Sequence, residues 1–340
     1  MFKAPEFWWR DKSLAAKLLS SLSAIYGYFA DKNFTRKEAV KLDLPVLCVG
    51  NYTLGGSGKT PMVASLVSYA ISLGLRPVVI MRGYGGSFKE AKLVDKAIDT
   101  SADIGDEALL LVEYCDVIVA KNRVDAKNII NNSNYDLVIL DDGFQSRRIY
   151  IDYSLIVVDA TRGVGNQCVF PAGPLRASLD LQLAYTDALV AIHQKDSKLD
   201  EAVIKGKILY HANLLPKLFK VNNGCLLPLG NGELQETNIY GLCAIGNGNK
   251  FHTSLQELGA NIVDFKSFPD HHVFSRKELQ NIVLEANNLC ATLAITMKDY
   301  VRMSSTALLP SKLYVVDAVI SIDDSTKKQI IDNLFAKYNK

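Results

Sequence analysis

Val49-Gly50-Asn51-Tyr52-Thr53-Leu54-Gly55-Gly56-Ser57-Gly58-Lys59-Thr60-Pro61-Met62 is the stretch on which the fold turns. Its centre, Gly55–Thr60, carries the residues of a phosphate-binding loop. The apolar run Pro45–Val49 before it reads as a buried strand, and Val63, Leu66, Val67 and Ala70 after it recur at helical spacing. In that setting glycines let the backbone curl until its N–H groups face phosphate oxygens, and the helix N-terminus adds a favourable dipole. Lys59 can reach the β- and γ-phosphates, and the Thr60 hydroxyl can ligate Mg²⁺. One position departs from the general pattern, because Thr53 stands where the first glycine belongs. The competing reading is a glycine-rich turn with a chance Lys-Thr. The strand–loop–helix order favours a nucleoside triphosphate site lined by Thr53, Gly55, Gly56, Ser57, Gly58, Lys59 and Thr60.

Outward from the loop, apolar strands alternate with helices. Arg76–Met81 reads as a strand ending in Arg82-Gly83-Tyr84-Gly85-Gly86; a helix near Asp106–Tyr114 leads to a strand at Asp116–Ala120. A polar helix near Val124–Asn131 precedes the strand Asp136–Leu140, which ends in Asp141-Asp142-Gly143-Phe144-Gln145. Strands at Ser154–Asp159 and Ala188–Ile192 follow. This order predicts an α/β fold of the P-loop NTPase kind, a mostly parallel sheet with helices on both faces. Around 205–235 the pattern changes to short strands with turns at Asn222-Asn223-Gly224 and Gly230-Asn231-Gly232. A second, smaller α/β unit then starts at Ile239–Ile245 and Gly246-Asn247-Gly248. It continues through Ala260–Phe265, a helix near Arg276–Leu289, strands at Thr292–Thr296 and Leu313–Val316, and a closing helix Asp324–Tyr338. The expected organisation is an N-terminal helix at 1–30, a nucleotide-binding core at 31–205, a connection at 206–238 and a smaller domain at 239–340 that closes over the site.

The 340 residues are 49% hydrophobic and 22% charged, ordinary for a globular chain. Lys and Arg number 38 against 36 Asp and Glu, a net charge of +2, which makes no case for nucleic acid. No protein partner is evident. Six scattered cysteines without a C-x-x-C pair read as small core residues in a reducing compartment. The start lacks a secretory signal pattern, and no stretch of about 18 uncharged apolar residues occurs. The N-terminus is unusual all the same. Phe7, Trp8 and Trp9 precede a helix-like run with Leu14, Leu18, Leu22, Ile25 and Phe29 near one face and Arg10, Lys12 and Lys17 among them. That pattern suits a helix lying on a membrane surface, and equally a helix packed on the protein's own core.

The chemistry-bearing residues sit at strand ends. Asp141 and Asp142 close an apolar strand, where an acid holds Mg²⁺ directly or through water. Two adjacent carboxylates cannot point the same way, so one can serve the metal while the other faces the next loop and orients a base. An ordinary Asp-Asp-Gly turn is the alternative. Asp106 and Glu107 open a helix, where carboxylates are also common caps and dipole partners. Arg82, at a strand's carboxyl end, could hold an anionic substrate or belong to a turn that needs glycine. Phe268-Pro269-Asp270-His271-His272-Val273-Phe274 holds two of the five histidines and offers a base or a partner to a carboxylate. Arg176, in Phe170-Pro171-Ala172-Gly173-Pro174-Leu175-Arg176, could meet phosphate or complete a rigid turn. Asn122-Arg123-Val124-Asp125 faintly resembles the guanine-reading motif of GTPases, but it precedes the Asp141 strand instead of following it, and Arg replaces Lys.

Taken together, these segments resemble the tetraacyldisaccharide 4′-kinase family of lipid A biosynthesis. The resemblance runs nearly the whole chain, through Gly50-Asn51, Gly55–Thr60, Arg82-Gly83-Tyr84-Gly85, Gly105-Asp106-Glu107, Asp141–Gln145, Pro171–Arg176, Phe268–His272 and Lys298-Asp299. Thr53 is itself usual in that family. The resemblance implies a peripheral kinase on the cytoplasmic face of the bacterial inner membrane. It implies transfer of the γ-phosphate of ATP, with Mg²⁺, to the 4′-hydroxyl of a lipid A disaccharide 1-phosphate precursor, and membrane contact through the N-terminal helix. By the same resemblance Asp106 is the catalytic base, Asp142 and His271 its supporting pair, Lys59 catalytic, and Thr60, Glu107 and Asp141 lie at the metal. Arg82, Asn51, Gln145 and Arg176 fall on the substrate side. Two positions depart: Ser146 stands where the family usually has His, and Met297 where Glu is usual. A nucleotide-dependent switch or partner-regulated ATPase is the alternative; it has little use for an Asp-His-His cluster or an apolar surface helix.

Overall fold

The computed structural model describes residues 4–10, 13–35, 38–193, 199, 205–222, 225–230, 232–246, 248–270, 272–304, 309–310 and 312–340. A 3-10 turn at Glu6–Trp9 leads into α1 (Leu14–Phe34), β1 (Val46–Gly50), α2 (Lys59–Ser72), β2 (Pro77–Met81), β3 (Lys92–Leu93), α3 (Ser101–Ile104), α4 (Asp106–Leu111) and β4 (Asp116–Val119). Then come α5 (Lys127–Asn131), β5 (Leu137–Asp141), β6 (Tyr153–Asp159), α6 (Leu179–Ala184), β7 (Ala188–His193), β8 (Ile208–Asn222), β9 (Cys225–Pro228) and β10 (Asn238–Cys243). The chain closes with α7 (Gly248–Glu257), β11 (Asn261–Ser267), α8 (Arg276–Asn288), β12 (Thr292–Thr296), α9 (Met297–Ser304), β13 (Leu313–Ser321) and α10 (Asp324–Tyr338).

Among the described residues the thirteen strands form one sheet, in the order β11-β10-β12-β13-β8-β7-β6-β1-β5-β2-β4-β3, with β9 paired to β8. β1 lies between β5 and β6, parallel to both, which puts the phosphate loop at mid-sheet. Its residues Val-Leu-Cys-Val-Gly are buried on both faces, as a parallel strand covered by helices requires. One face packs on α2 and α10 through Met62, Leu66, Ile330 and Leu334; the other gathers Phe34, Tyr52, Ile130 and Phe144. The fold is therefore the mixed, mostly parallel α/β sheet with helices that the sequence predicts.

Three local expectations need correction. The 205–235 region is not made of short strands alone: β8 is one strand of 15 residues, and only β9, paired with its end, is short. It runs parallel to β7 through Ile208–Asn213 and antiparallel to β13 through Asn213–Val221, so one strand joins both halves of the sheet. Pro216 sits where β8 has a neighbour on one edge only, which is where a sheet accepts a residue without an N–H. Between Thr296 and Leu313 the chain forms α9, a helix not among the expected elements. And α10 returns to the first half, where Ile330 and Leu334 are buried beside Tyr153 and α2.

α1 docks by its small and polar face. Ser23 donates to the Val169 carbonyl and accepts from the Ala172 N–H, Gly27 faces Val169, and Asp31 accepts from the Ser178 N–H. Phe34 anchors the last turn edge-on to Phe144. The apolar stripe points the other way: Leu14 is 82% and Leu18 84% exposed, and Leu22, Ile25 and Phe29 are exposed as well. The stripe does not pack on the protein's own core. Trp8 does, at 6% exposure with its indole N–H on the Pro171 carbonyl, and so is a structural residue of the turn. No described helix is long and apolar enough to cross a membrane.

Candidate active site

The phosphate loop leaves β1 at Gly50 and enters α2 at Lys59. Gly58 takes φ +88°, a left-handed backbone that favours glycine, and a Cβ there would also press on the tip of the Ile192 side chain at 2.7 Å. Asn51, wholly buried, braces the loop: its amide donates to the Thr53 carbonyl, and its Oδ1 accepts from Lys59 Nζ at 3.2 Å. It serves as a strut for the lysine. Thr60 Oγ1 lies 3.2 Å from Asp141 Oδ2, which brings the helix start and the end of β5 together.

Asp141 and Asp142 part company as their adjacency demands. Asp142 has φ +56°, a left-handed conformation that Asp tolerates, and this turns its carboxylate away from Asp141. It receives Arg176 Nη1 on both oxygens, at 3.0 and 3.1 Å, and stands 3.6 Å from Lys59 Nζ. Burial opposes its charge, but Lys59 and Arg176 overcome this and hold its pKa below the ordinary value. Asp141 is buried with Oδ1 lacking any hydrogen-bond partner. Burial, with Glu107 and Asp142 nearby, raises its pKa to about 7 despite Lys59. A buried carboxylate oxygen without a donor, next to a threonine hydroxyl, is the hard oxygen pair that suits Mg²⁺. Among the described residues no group of three or more His, Cys, Asp or Glu gathers.

Arg123 fastens this turn. It is buried and donates through Nη2 to the carbonyls of Asp141 and Asp142, at 3.0 and 2.9 Å. In the sequence this arginine stands out only through a partial likeness to a guanine-reading motif. Gln145 bridges the Asn51 carbonyl and Gln182, and Arg176 Nε reaches the Thr53 carbonyl. Ser146 donates to the Gly143 carbonyl, closing the turn locally. Arg82 is exposed at the end of β2, near enough for its charge to weigh on Arg123.

Asp106 and Glu107 enter from a neighbouring turn. Gly105 has φ +89°, and a Cβ there would meet the Tyr84 carbonyl oxygen at 2.4 Å, so the Arg82–Gly86 loop forms the shelf against which α4 starts. Asp106 is buried and ion-paired with Arg302 Nη2 at 2.5 Å. Glu107 pairs with Lys298 Nζ at 2.8 Å. Burial works against the Glu107 charge, while Lys298 and Lys59 together bring its pKa below the usual value. Arg302 was not foreseen, and the missing signal is the unread helix α9. A further bond across the sheet, Lys250 to Asp159 at 2.8 Å, was also unforeseen. His271 lies outside the described residues. Its neighbour His272 stacks on Phe268, meets Phe274 edge-on and sends its carbonyl to Arg302. Met297 packs against the apolar cluster of the second half, where the usual glutamate would not.

Beside the site is a cavity of about 250 Å³, lined by Tyr26, Ala30 and Asn33 of α1 and by Leu54, Gln145 and Arg176. It links the helix with the exposed apolar stripe to the residues around the phosphate loop.

A phosphate loop at mid-sheet, answered by an acid on the next strand, defines a P-loop nucleotide enzyme. The model of the tetraacyldisaccharide-1-P 4′-kinase family matches residues 15–336. A tetraacyldisaccharide 4′-kinase of Bartonella quintana (strain Toulouse) is 37% identical over 346 residues, covering 100% of this chain and 97% of its own length. One from Bartonella tribocorum is 41% identical over 305 residues, covering 89% and 84%. The crystal structure of the apo form of LpxK from Aquifex aeolicus in complex with ATP shares the fold, with a TM-score of 0.74 at 22% identity over 95% of this chain and 100% of that one. The chain belongs to the tetraacyldisaccharide-1-P 4′-kinase family.

Proposed function

We infer that the protein is an ATP-dependent kinase that phosphorylates the 4′-hydroxyl of a tetraacyldisaccharide 1-phosphate, a step of lipid A biosynthesis. The observation that carries this is the meeting of Lys59, Thr60, Asp141 and Asp142 at the loop with the Asp106–Glu107 pair beside it. Loop amides and Lys59 bind the triphosphate. Thr60, Asp141 and Glu107 would hold Mg²⁺, which supplies positive charge to the phosphate oxygens.

A sugar hydroxyl is a very weak acid, so its proton leaves only as the new P–O bond forms. Asp106 accepts it. Most of the acceleration then comes from position and charge: Asn51 and Asp142 aim Lys59, Arg123 fixes both aspartates, and Arg302 holds Asp106. We read 31–205 and 239–340 as two lobes on either side of β8, with α10 of the second reaching back onto the first, and Asp142 and His271 supporting the base. The cavity between α1 and Arg176 gives the acceptor a path from a membrane surface, on which the exposed stripe of α1 rests. Arg82, Gln145 and Arg176 attend the acceptor and phosphate side, and the cytoplasmic face, where ATP is available, is the location.

The test is incubation in detergent micelles with γ-labelled ATP, Mg²⁺ and the tetraacyl disaccharide 1-phosphate, with Lys59→Ala as control. Label should appear in the lipid and fall at least about 100-fold in the variant. Nucleotide hydrolysis with unlabelled lipid would favour a switch or regulated ATPase.

A further inference from the structure

α9 carries Lys298 and Arg302 four residues apart, the spacing that sets two side chains on one helix face. Facing them, α4 opens on the adjacent acids Asp106 and Glu107, and each cation takes one acid across 196 and 191 residues of chain. The two contacts differ in kind. The Arg302 side chain is 7% exposed; besides Asp106 it donates to Asp299 and to the carbonyls of Ala244 and His272. It is a fixed strut. The Lys298 side chain is 34% exposed and its partner Glu107 37%. Among the described residues its ammonium, with three donors, makes one hydrogen bond. Such a contact can be exchanged.

Glu107 links Lys298 to the phosphate loop: it holds the Lys298 ammonium in an ion pair, and the Lys59 charge acts on it as well. Glu107 feels the positive charge of Lys298 and of Lys59, so this one carboxylate stands between a loop cation and a second-lobe cation. The ammonium of Lys298 stands in a half-exposed ion pair with Glu107, 2.8 Å away. Three other cations near the site are engaged: Arg176 with Asp142, Arg123 with two carbonyls, Arg302 with Asp106. A transferring phosphoryl group spreads charge over three equatorial oxygens, and Lys59 approaches from the loop side alone.

We propose that Lys298 is a catalytic residue, which leaves Glu107 to contact the transferring γ-phosphoryl group of the bound nucleotide, while Arg302 is the positioning residue of Asp106. The proposal rests on the kinase reading. In the step it serves, the acceptor oxygen–Pγ bond forms and the bond from Pγ to the β,γ-bridging oxygen breaks. The hydroxyl proton passes to Asp106, and the electron pair leaves on ADP. Lys298 keeps its protons and supplies positive charge to the non-bridging oxygens.

Lys298→Met removes the charge at nearly constant length, and Lys298→Arg keeps the charge. Each is compared with wild type for kcat and KM on lipid and ATP, and for binding of ADP with Mg²⁺ alone and with added aluminium fluoride, a mimic of the transferring phosphoryl group. The expected result for Lys298→Met is a kcat lower by about 100-fold or more, with KM for ATP and affinity for ADP within about threefold. Its affinity for the aluminium fluoride complex should fall by a similar factor, and Lys298→Arg should recover at least about a tenth of wild-type kcat. A kcat within threefold of wild type would overturn the proposal. So would a lost kcat with aluminium fluoride binding intact, which would make Lys298 only a partner of Glu107. If the Met variant unfolds, Lys298→Gln reads the same quantities. If wild type leaves the lipid unlabelled, the kinase reading fails, and the fluoride comparison, which needs no acceptor, still decides Lys298.

Discussion

Asp141 illustrates how a residue can be costly to the empty protein and necessary to the working one. Its carboxylate is buried with one oxygen unpartnered and ionises near pH 7 instead of near 4. At pH 8 it is charged, and Lys59 and the Thr60 hydroxyl offset only part of the cost of burying that charge, which disfavours the folded state. Asp141→Asn should therefore raise the melting temperature of the nucleotide-free protein at pH 8 by roughly 2–5 °C. The same variant should lose most of the extra stabilisation that ATP with Mg²⁺ gives wild type; calorimetry on the four samples checks both halves. At this scale the sequence was legible where residue type and strand end coincide. Lys59, Thr60, Asp141 and Asp142 could be placed because a strand must deliver them to one edge. Arg123 and Arg302 could not, since an arginine that serves a carbonyl or a distant acid leaves no local pattern.

Elements with a strong period were read nearly to the residue: β12 is Thr292–Thr296 and α10 is Asp324–Tyr338, as expected. α9 was missed because it is a single short helix between two strands, with Lys298 and Arg302 as its only sign. α1 shows a different limit. Its stripe was visible, but periodicity cannot say which face a helix turns inward; here Ser23, Gly27 and Asp31 do the docking. Because Leu18 and Ile25 touch water, Leu18→Asn with Ile25→Asn should leave the melting temperature within about 1 °C of wild type. Cosedimentation with anionic vesicles should drop roughly tenfold or more, the loss of two buried aliphatic side chains.

β13 offers a pH-dependent case. Burial raises Asp317 from 3.8 to about 6, Lys217 opposing. The folded state favours its protonated form, so its contribution is best below about pH 4, is lost as pH rises through 6 and is least favourable above that. Asp317→Asn should melt roughly 2–4 °C above wild type at pH 7.5 and level with it at about pH 4.

Over the whole molecule, the sheet is continuous, and contacts that close the site come from residues far apart in sequence. Lys250–Asp159, Lys298–Glu107 and Arg302–Asp106 each join the two halves at one rim of the sheet. Such pairings depend on the final arrangement and were illegible beforehand, as was the return of α10 to the first half. That return gives a stability prediction. Leu334, fully buried against the first-half core, should on truncation to Ala cost about 2–5 kcal/mol. The loss should appear as a lower urea midpoint in the transition that also reports on β1 and α2.

The most direct measurement of the central claim is the position of the new phosphate. After reaction with ATP and Mg²⁺, phosphorus–proton correlation spectra of the recovered lipid should show a second phosphomonoester coupled to the sugar proton at the 4′ carbon, absent with Lys59→Ala. ADP release with no new lipid phosphate, or phosphate at any other hydroxyl, would contradict it.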